Sequence, residues 1–211
     1  QYKGHDFLEP GEVVLTFDDG PLRHNTVKVL AALDAECTRA TFFSVGKMAL
    51  ADPEMVREIA KRGHTVGTHT WSHRNLKAAS PSAALGELEL GVSAVSKALG
   101  HPVAPFFRFP YLADSRAMIS HNQSRNLAMF SIDVDALDYR TKDAATVQRR
   151  VLAGLKHQGK GIILFHDIQV STANALPALL AEIRKRGYKV VHLVPKSPAV
   201  TLAEYDAIAD R

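Results

Sequence analysis

Apolar residues recur along the chain in two alternating rhythms. Short, near-continuous runs rich in β-branched and aromatic residues lie at Glu12–Phe17, Ala40–Val45, Thr65–Thr70, Phe106–Pro110, Leu127–Asp135, Gly161–His166 and Tyr188–Val194. Runs of this kind read as strands buried on both faces. Between them, apolar residues fall at helical spacing. Val27, Leu30 and Leu33 mark a helix over Thr26–Leu33, and Val56 with Ile59 marks one over Pro53–Arg62. Leu85, Leu88, Val92, Val95 and Leu99 mark a longer one over Ser82–Leu99. Further helices are expected over Ser115–Asn126, Ala144–Lys156 and Ala173–Arg186, with a peripheral one over Leu202–Ile208.

The punctuation agrees with this division. Ser80-Pro81 suits a helix start, and Gly63, Gly100 and Gly187 stand where helices should stop. Repeated strand–helix alternation implies parallel strands joined by right-handed crossovers. The expected fold is therefore α/β, a distorted (β/α) barrel of about seven parallel strands. An open doubly wound sheet is the alternative. No Gly-, Ser- or Pro-rich linker interrupts the pattern, so 1–211 reads as one domain with its core at about 12–194.

Composition narrows the class. The chain has 211 residues, 46% of them hydrophobic and 23% charged, which excludes wholesale disorder. No apolar run reaches the roughly 18–20 residues needed to cross a bilayer, so no integral membrane segment is expected. The net charge is 26 − 22 = +4, with no block of like charge, which gives no support for nucleic acid as a partner. The single cysteine, Cys37, cannot form an internal disulfide and leaves the redox compartment open. The chain begins at Gln1 with neither an initiator Met nor a signal-like apolar segment. Oligomeric state has no readable signal.

In parallel α/β folds, chemistry collects at the C-terminal ends of strands. Here polar residues interrupt the apolar runs at those ends. The first run closes with Asp18-Asp19-Gly20-Pro21, the third with His69-Thr70-Trp71-Ser72-His73, and the fourth with Arg108-Phe109-Pro110-Tyr111. The fifth carries Asp133, Asp135 and Asp138, and the sixth ends at His166-Asp167. Each segment alone has a plainer reading: a solvated turn, a chance His pair, a structural ion pair, a capping carboxylate, a packed core histidine. Ionisable groups at five separate strand ends point together to a metal-dependent catalytic site. Zinc takes neutral imidazole and carboxylate readily, and cobalt or nickel fit the same donors.

These segments, in this order, resemble the polysaccharide deacetylase family (NodB homology domain, carbohydrate esterase family four). Thr16–Pro21 is similar to its TFDDGP motif, His69–His73 to its His-Ser/Thr-x-x-His motif and Arg108–Tyr111 to its Arg-x-Pro-Tyr motif. Asp135–Tyr139 resembles a variant of Asp-x-x-Asp-Trp, and Leu164–His166 resembles Leu-x-His.

The resemblance implies that Asp19, His69 and His73 hold Zn2+, with Co2+ or Ni2+ as possible occupants. It implies that Asp18 is the general base, paired with and oriented by Arg108, and that the Tyr111 backbone N–H faces the oxyanion. His166 would be the general acid, oriented by Asp138. The implied reaction is removal of N-acetyl, or O-acetyl, groups from an acetylated oligo- or polysaccharide, with acetate released, outside the cytoplasm. Two positions depart from the pattern: Tyr139 stands where Trp is common, and Leu112 follows Tyr111 where Gly is frequent. His24 and Trp71 are groove candidates that read more simply as structural. Two other activities suit the scaffold: hydrolysis of a cyclic amide or ureide, and noncatalytic carbohydrate binding.

Overall fold

The computed structural model describes residues 6–211. Gln1 and the four residues after it, which the one-domain reading includes, lie outside the described residues. In chain order the elements are β1 (Glu12–Asp18), α1 (Arg23–Ala35), β2 (Thr41–Ser44), α2 (Gly46–Ala51), α3 (Pro53–Lys61), β3 (Thr65–Thr68), α4 (Pro81–Leu99), β4 (Phe106–Phe107), α5 (Arg116–Ser124), β5 (Ala128–Met129), β6 (Val134–Asp135), α6 (Ala144–Gln158), β7 (Gly161–His166), α7 (Val170–Lys185), β8 (Lys189–Val190) and α8 (Ala203–Ala209). Short 3-10 turns follow β4 at Pro110–Leu112 and β6 at Asp138–Arg140.

The chain forms two compact units. The first comprises Gln1–Phe17, Leu22–Thr41 and Ile132–Leu193, as far as these are described. Its strands run in the order β1-β7-β6. β6 pairs with β7 in parallel, with Val134 opposite Ile163 and Asp135 opposite Leu164. β8 lies parallel to the start of β1, Glu12 opposite Lys189. Val13, Leu15, Phe17, Ile163 and Phe165 of these strands are buried, and α7 packs against both α1 and α6. Thr16 Oγ1 donates to the Ile163 carbonyl at 2.6 Å, which ties the two central strands with a side chain as well.

The second unit comprises Asp18–Pro21, Phe42–Ser131 and Val194–Arg211. It carries β2-β3-β4-β5 in that order, with Thr68 opposite Phe107 and Phe107 opposite Met129, both pairs parallel. Its main helix, α4, begins where the sequence signals say it should. The Ser80 hydroxyl accepts from Ala83 N, Pro81 takes the first turn, and Gly100 ends the helix at φ +78. Val92 and Val95 are fully buried, and α4 packs against α2, α3, α5 and α8.

Three expectations change. The strand predicted over Leu127–Asp135 is two strands, β5 beside β4 and β6 beside β7. Between them the backbone leaves the ladder, because the Phe130 and Ser131 carbonyls turn to the Arg108 guanidinium at 3.2 and 3.1 Å. The strand expected over Phe106–Pro110 stops at Phe107, where Pro110 opens a 3-10 turn. A helix not foreseen, α2, follows β2 directly, too short for its periodicity to register.

Candidate active site

The polar residues at the strand ends gather into one cluster in each unit. In the second unit, Asp18 and Asp19 follow the apolar run of β1, and His69 and His73 follow β3. Arg108 follows β4. Of the eight non-glycine residues at positive φ among the described residues, five stand here: Asp19, Thr70, His73, Tyr111 and Leu112. Backbone in this region is strained for residues with a Cβ, and such strain concentrates where side chains must be aimed.

Arg108 is fully buried, so every donor needs an acceptor. Nη1 donates to Asp18 Oδ1 at 2.8 Å, Nε to the Phe130 carbonyl and Nη2 to the Ser131 carbonyl. The guanidinium lies 4.4 Å from the centre of the Phe43 ring, within cation–π range. Asp18 is itself 2% exposed and so receives its counter-charge from one rigid fork. Its other oxygen, Oδ2, lies 3.7 Å from His69 Nε2.

His69 Nδ1 lies 2.8 Å from the Arg108 carbonyl. A carbonyl only accepts, so Nδ1 carries the proton and Nε2 presents a lone pair. Burial pushes the His69 pKa below the ordinary histidine value, against the pull of Asp18 and Asp19, and so favours the neutral ring. His69 Nε2 faces Asp19 Oδ1 at 3.5 Å, and His73 Nε2 faces the same oxygen at 3.3 Å. One ligand atom from each of the three residues lies within 4.8 Å of the others.

A carboxylate oxygen and two imidazole nitrogens gathered so closely ask for a cation. The donor set fits zinc. Nitrogen and oxygen ligands about 2.0–2.2 Å from a tetrahedral ion stand roughly 3.3–3.6 Å apart, the separation found on both sides of Asp19. His69 is 3% exposed at its side chain, but Asp19 and His73 are 22% and 28% exposed, so solvent reaches one side of the group. Tyr111, 67% exposed, sets its ring edge-on to His73 at 4.6 Å.

The cluster in the first unit has the opposite bonding. Asp138 is fully buried and its carboxylate collects donors. Oδ1 faces His166 Nδ1 at 2.7 Å and accepts from Tyr139 N at 3.0 Å. Oδ2 accepts from His166 N at 2.7 Å and from the Thr172 hydroxyl. The Ser171 hydroxyl donates to the Asp138 carbonyl at 2.9 Å. An acceptor-only carboxylate at Nδ1 fixes the tautomer and leaves Nε2 as the nitrogen that takes or gives a proton. The Tyr139 ring stands edge-on to His166 at 5.5 Å.

The remaining candidates have other duties. Asp133 Oδ2 accepts from Ile162 N, and Asp135 Oδ1 accepts from Leu137 N. Trp71 packs on α2 at Gly46, with Lys47 Nζ 5.7 Å from its ring centre. His24 is exposed on α1, beside Lys28. The sequence reading missed Phe43, Ser171 and Thr172. The Ser-Thr pair at the start of α7 was the one visible hint, since hydroxyls there seek nearby acceptors.

A solved peptidoglycan deacetylase from Bdellovibrio bacteriovorus superposes with a TM-score of 0.84 at 36% identity, covering 91% of this chain and 55% of its own. A peptidoglycan-N-acetylglucosamine deacetylase of Listeria monocytogenes is 31% identical over 85% of this chain and 37% of its own length. A chitooligosaccharide deacetylase of Bradyrhizobium is 27% identical over 87% of this chain and 89% of its own. The chain thus spans well under half the length of the Listeria relative. The fold is that of solved carbohydrate deacetylases, which bears out the expected deacetylase-type α/β barrel. The family described as polysaccharide deacetylase matches residues 7–130, and the chain belongs to it.

Proposed function

We propose that the chain is the catalytic unit of a zinc-dependent deacetylase that releases acetate from N-acetylated sugars of a cell-wall polymer, outside the cytoplasm. The observation that carries this reading is the convergence of Asp19 Oδ1 with Nε2 of His69 and Nε2 of His73. Family membership and the names of the relatives supply the substrate class.

Asp19, His69 and His73 are the residues that would hold the ion. When bound there, zinc polarises a carbonyl and acidifies water. Asp18 takes the proton from the attacking water. It suits that role because Arg108 neutralises its buried charge and fixes Oδ1, leaving Oδ2 on the His69 side of the cluster. The Tyr111 backbone N–H, turned by the left-handed backbone at Tyr111 and Leu112, donates to the developing oxyanion. His166 gives a proton to the leaving amine from Nε2. Asp138 holds the ring through Nδ1 and stabilises the imidazolium that forms when His166 is protonated. Base and acid chemistry then run at one pH because each group has its own environment.

Acetate release from N-acetylglucosamine oligomers and peptidoglycan fragments, with chelator and after return of zinc, tests the reading. Chelator should stop release and zinc should restore it. Hydrolysis of a cyclic imide with no acetate from any sugar would overturn it.

A further inference from the structure

The loop that carries His73 is held in place by a residue that takes no part in the proposed chemistry. Between His69 and His73 the chain passes through two left-handed residues, Thr70 at φ +67 and His73 at φ +61. Side chains disfavour that conformation, so the loop needs outside support to keep it. Some is internal: His73 N donates to the Thr70 hydroxyl at 3.0 Å. From α2, Gly46 N and Lys47 N donate to the Thr70 and Trp71 carbonyls, each at 2.9 Å.

The rest comes from one residue of α4. Glu87 Oε2 accepts from Ser72 N at 2.8 Å, Glu87 Oε1 accepts from the Ser72 hydroxyl at 2.6 Å, and the Glu87 carbonyl accepts from Trp71 N at 2.7 Å. One turn further along the same face stands Gly91. A Cβ there would meet the Thr70 backbone carbonyl carbon at 2.6 Å, so the helix can approach the loop only because this position is glycine. Clamp and close approach lie at i and i+4 of one helix face, matched to the loop.

We infer that Glu87 is a positioning residue for the metal centre: by gripping Ser72 with both carboxylate oxygens, it holds the strained loop so that His73 Nε2 stays beside Asp19 Oδ1. This rests on the reading of Asp19, His69 and His73 as metal ligands. Partners that orient a ligand set affinity as well as stability, and losing one costs 10- to 100-fold in metal affinity. His69 has its own anchor on the Arg108 carbonyl, so the effect falls on the His73 side of the site.

Zinc titration of the full chain in competition with a chromophoric chelator tests the inference. Wild type should bind one equivalent, and His73→Ala should weaken binding severely. Glu87→Ala should raise Kd about 10- to 100-fold. Glu87→Gln, which keeps one acceptor oxygen, and Ser72→Ala, which keeps the bond from Ser72 N, should fall in between. Lys97→Ala is the control: it removes bonds from α4 to Ala209 and Asp210 far from the loop, and should lower Tm with Kd unchanged. One-equivalent binding by wild type with an unchanged Kd in Glu87→Ala would overturn the inference alone. If Glu87→Ala does not fold, an unchanged Kd in both Ser72→Ala and Glu87→Gln overturns it equally. No zinc binding by wild type, or full binding by His73→Ala, overturns the ligand reading and this inference with it.

Discussion

The two histidine–aspartate clusters use the same residue types and are wired in opposite senses. In the second unit, His69 Nδ1 is spent on a backbone carbonyl, and Nε2 of both histidines turns to a carboxylate oxygen. At His69 an acceptor nitrogen thus faces an acceptor oxygen, an arrangement a cation completes. In the first unit, the Asp138 carboxylate is met by the Nδ1 side of His166, by two backbone N–H groups and by a hydroxyl. Donors surround an acceptor, and the pair is complete without an ion. Counting donors and acceptors around each histidine separates the two clusters where residue identity does not.

Substitutions can break this contrast, beginning with the largest effect. Asp18→Asn removes the proposed base but no ligand, so deacetylation should fall about 10²–10⁴-fold while bound zinc, measured by atomic emission, stays at one equivalent. Near-normal turnover would remove Asp18 from the mechanism. His166→Ala should cost a similar factor in kcat, again with zinc retained, and a loss under tenfold would exclude a general acid role. Arg108→Ala acts on the fold instead. It strands the buried Asp18 charge, and denaturant unfolding should show a loss of about 3–5 kcal/mol.

Two smaller effects sharpen the picture. Leu112 sits at φ +51, a left-handed conformation that suits glycine better than a residue with a Cβ. Leu112→Gly should relieve left-handed strain and raise stability by about 1 kcal/mol, less the chain entropy that glycine adds to the unfolded state. A clear loss of stability would mean that Leu112 makes up for its strain by packing. The pH dependence has a definite sign. Burial lowers the folded-state pKa of His69, and burial with nearby Arg39 lowers that of His192. The unfolded chain then binds more protons as pH falls below about 6.5, so the stability these rings contribute is full above that pH and is lost on acidification. Tm of the metal-free protein should therefore decline from pH 7 to 5. A Tm that holds or rises would contradict the neutral assignment.

Much of this was legible in the sequence because strand ends are marked by an abrupt change from apolar to ionisable residues. Asp18, Asp19, His69, His73, Arg108 and His166 all stand at such changes. What could not be read depends on backbone atoms, which every residue type supplies alike. The Phe130 and Ser131 carbonyls that receive Arg108, and the Arg108 carbonyl that fixes the His69 tautomer, leave no trace in residue identity. The split of 127–135 into β5 and β6 was hidden for the same reason, since Leu-Ala-Met-Phe-Ser-Ile reads as one apolar run. Glu87 was hidden by its surroundings, a charged residue on a long amphipathic helix where solvent is the default partner.

Anomalous diffraction at the zinc edge, on crystals grown with one equivalent of zinc, tests the metal centre most directly. A single strong peak is expected within about 2.0–2.2 Å of Asp19 Oδ1, His69 Nε2 and His73 Nε2. A peak elsewhere with these three atoms empty, or no peak from protein that still releases acetate, would contradict it.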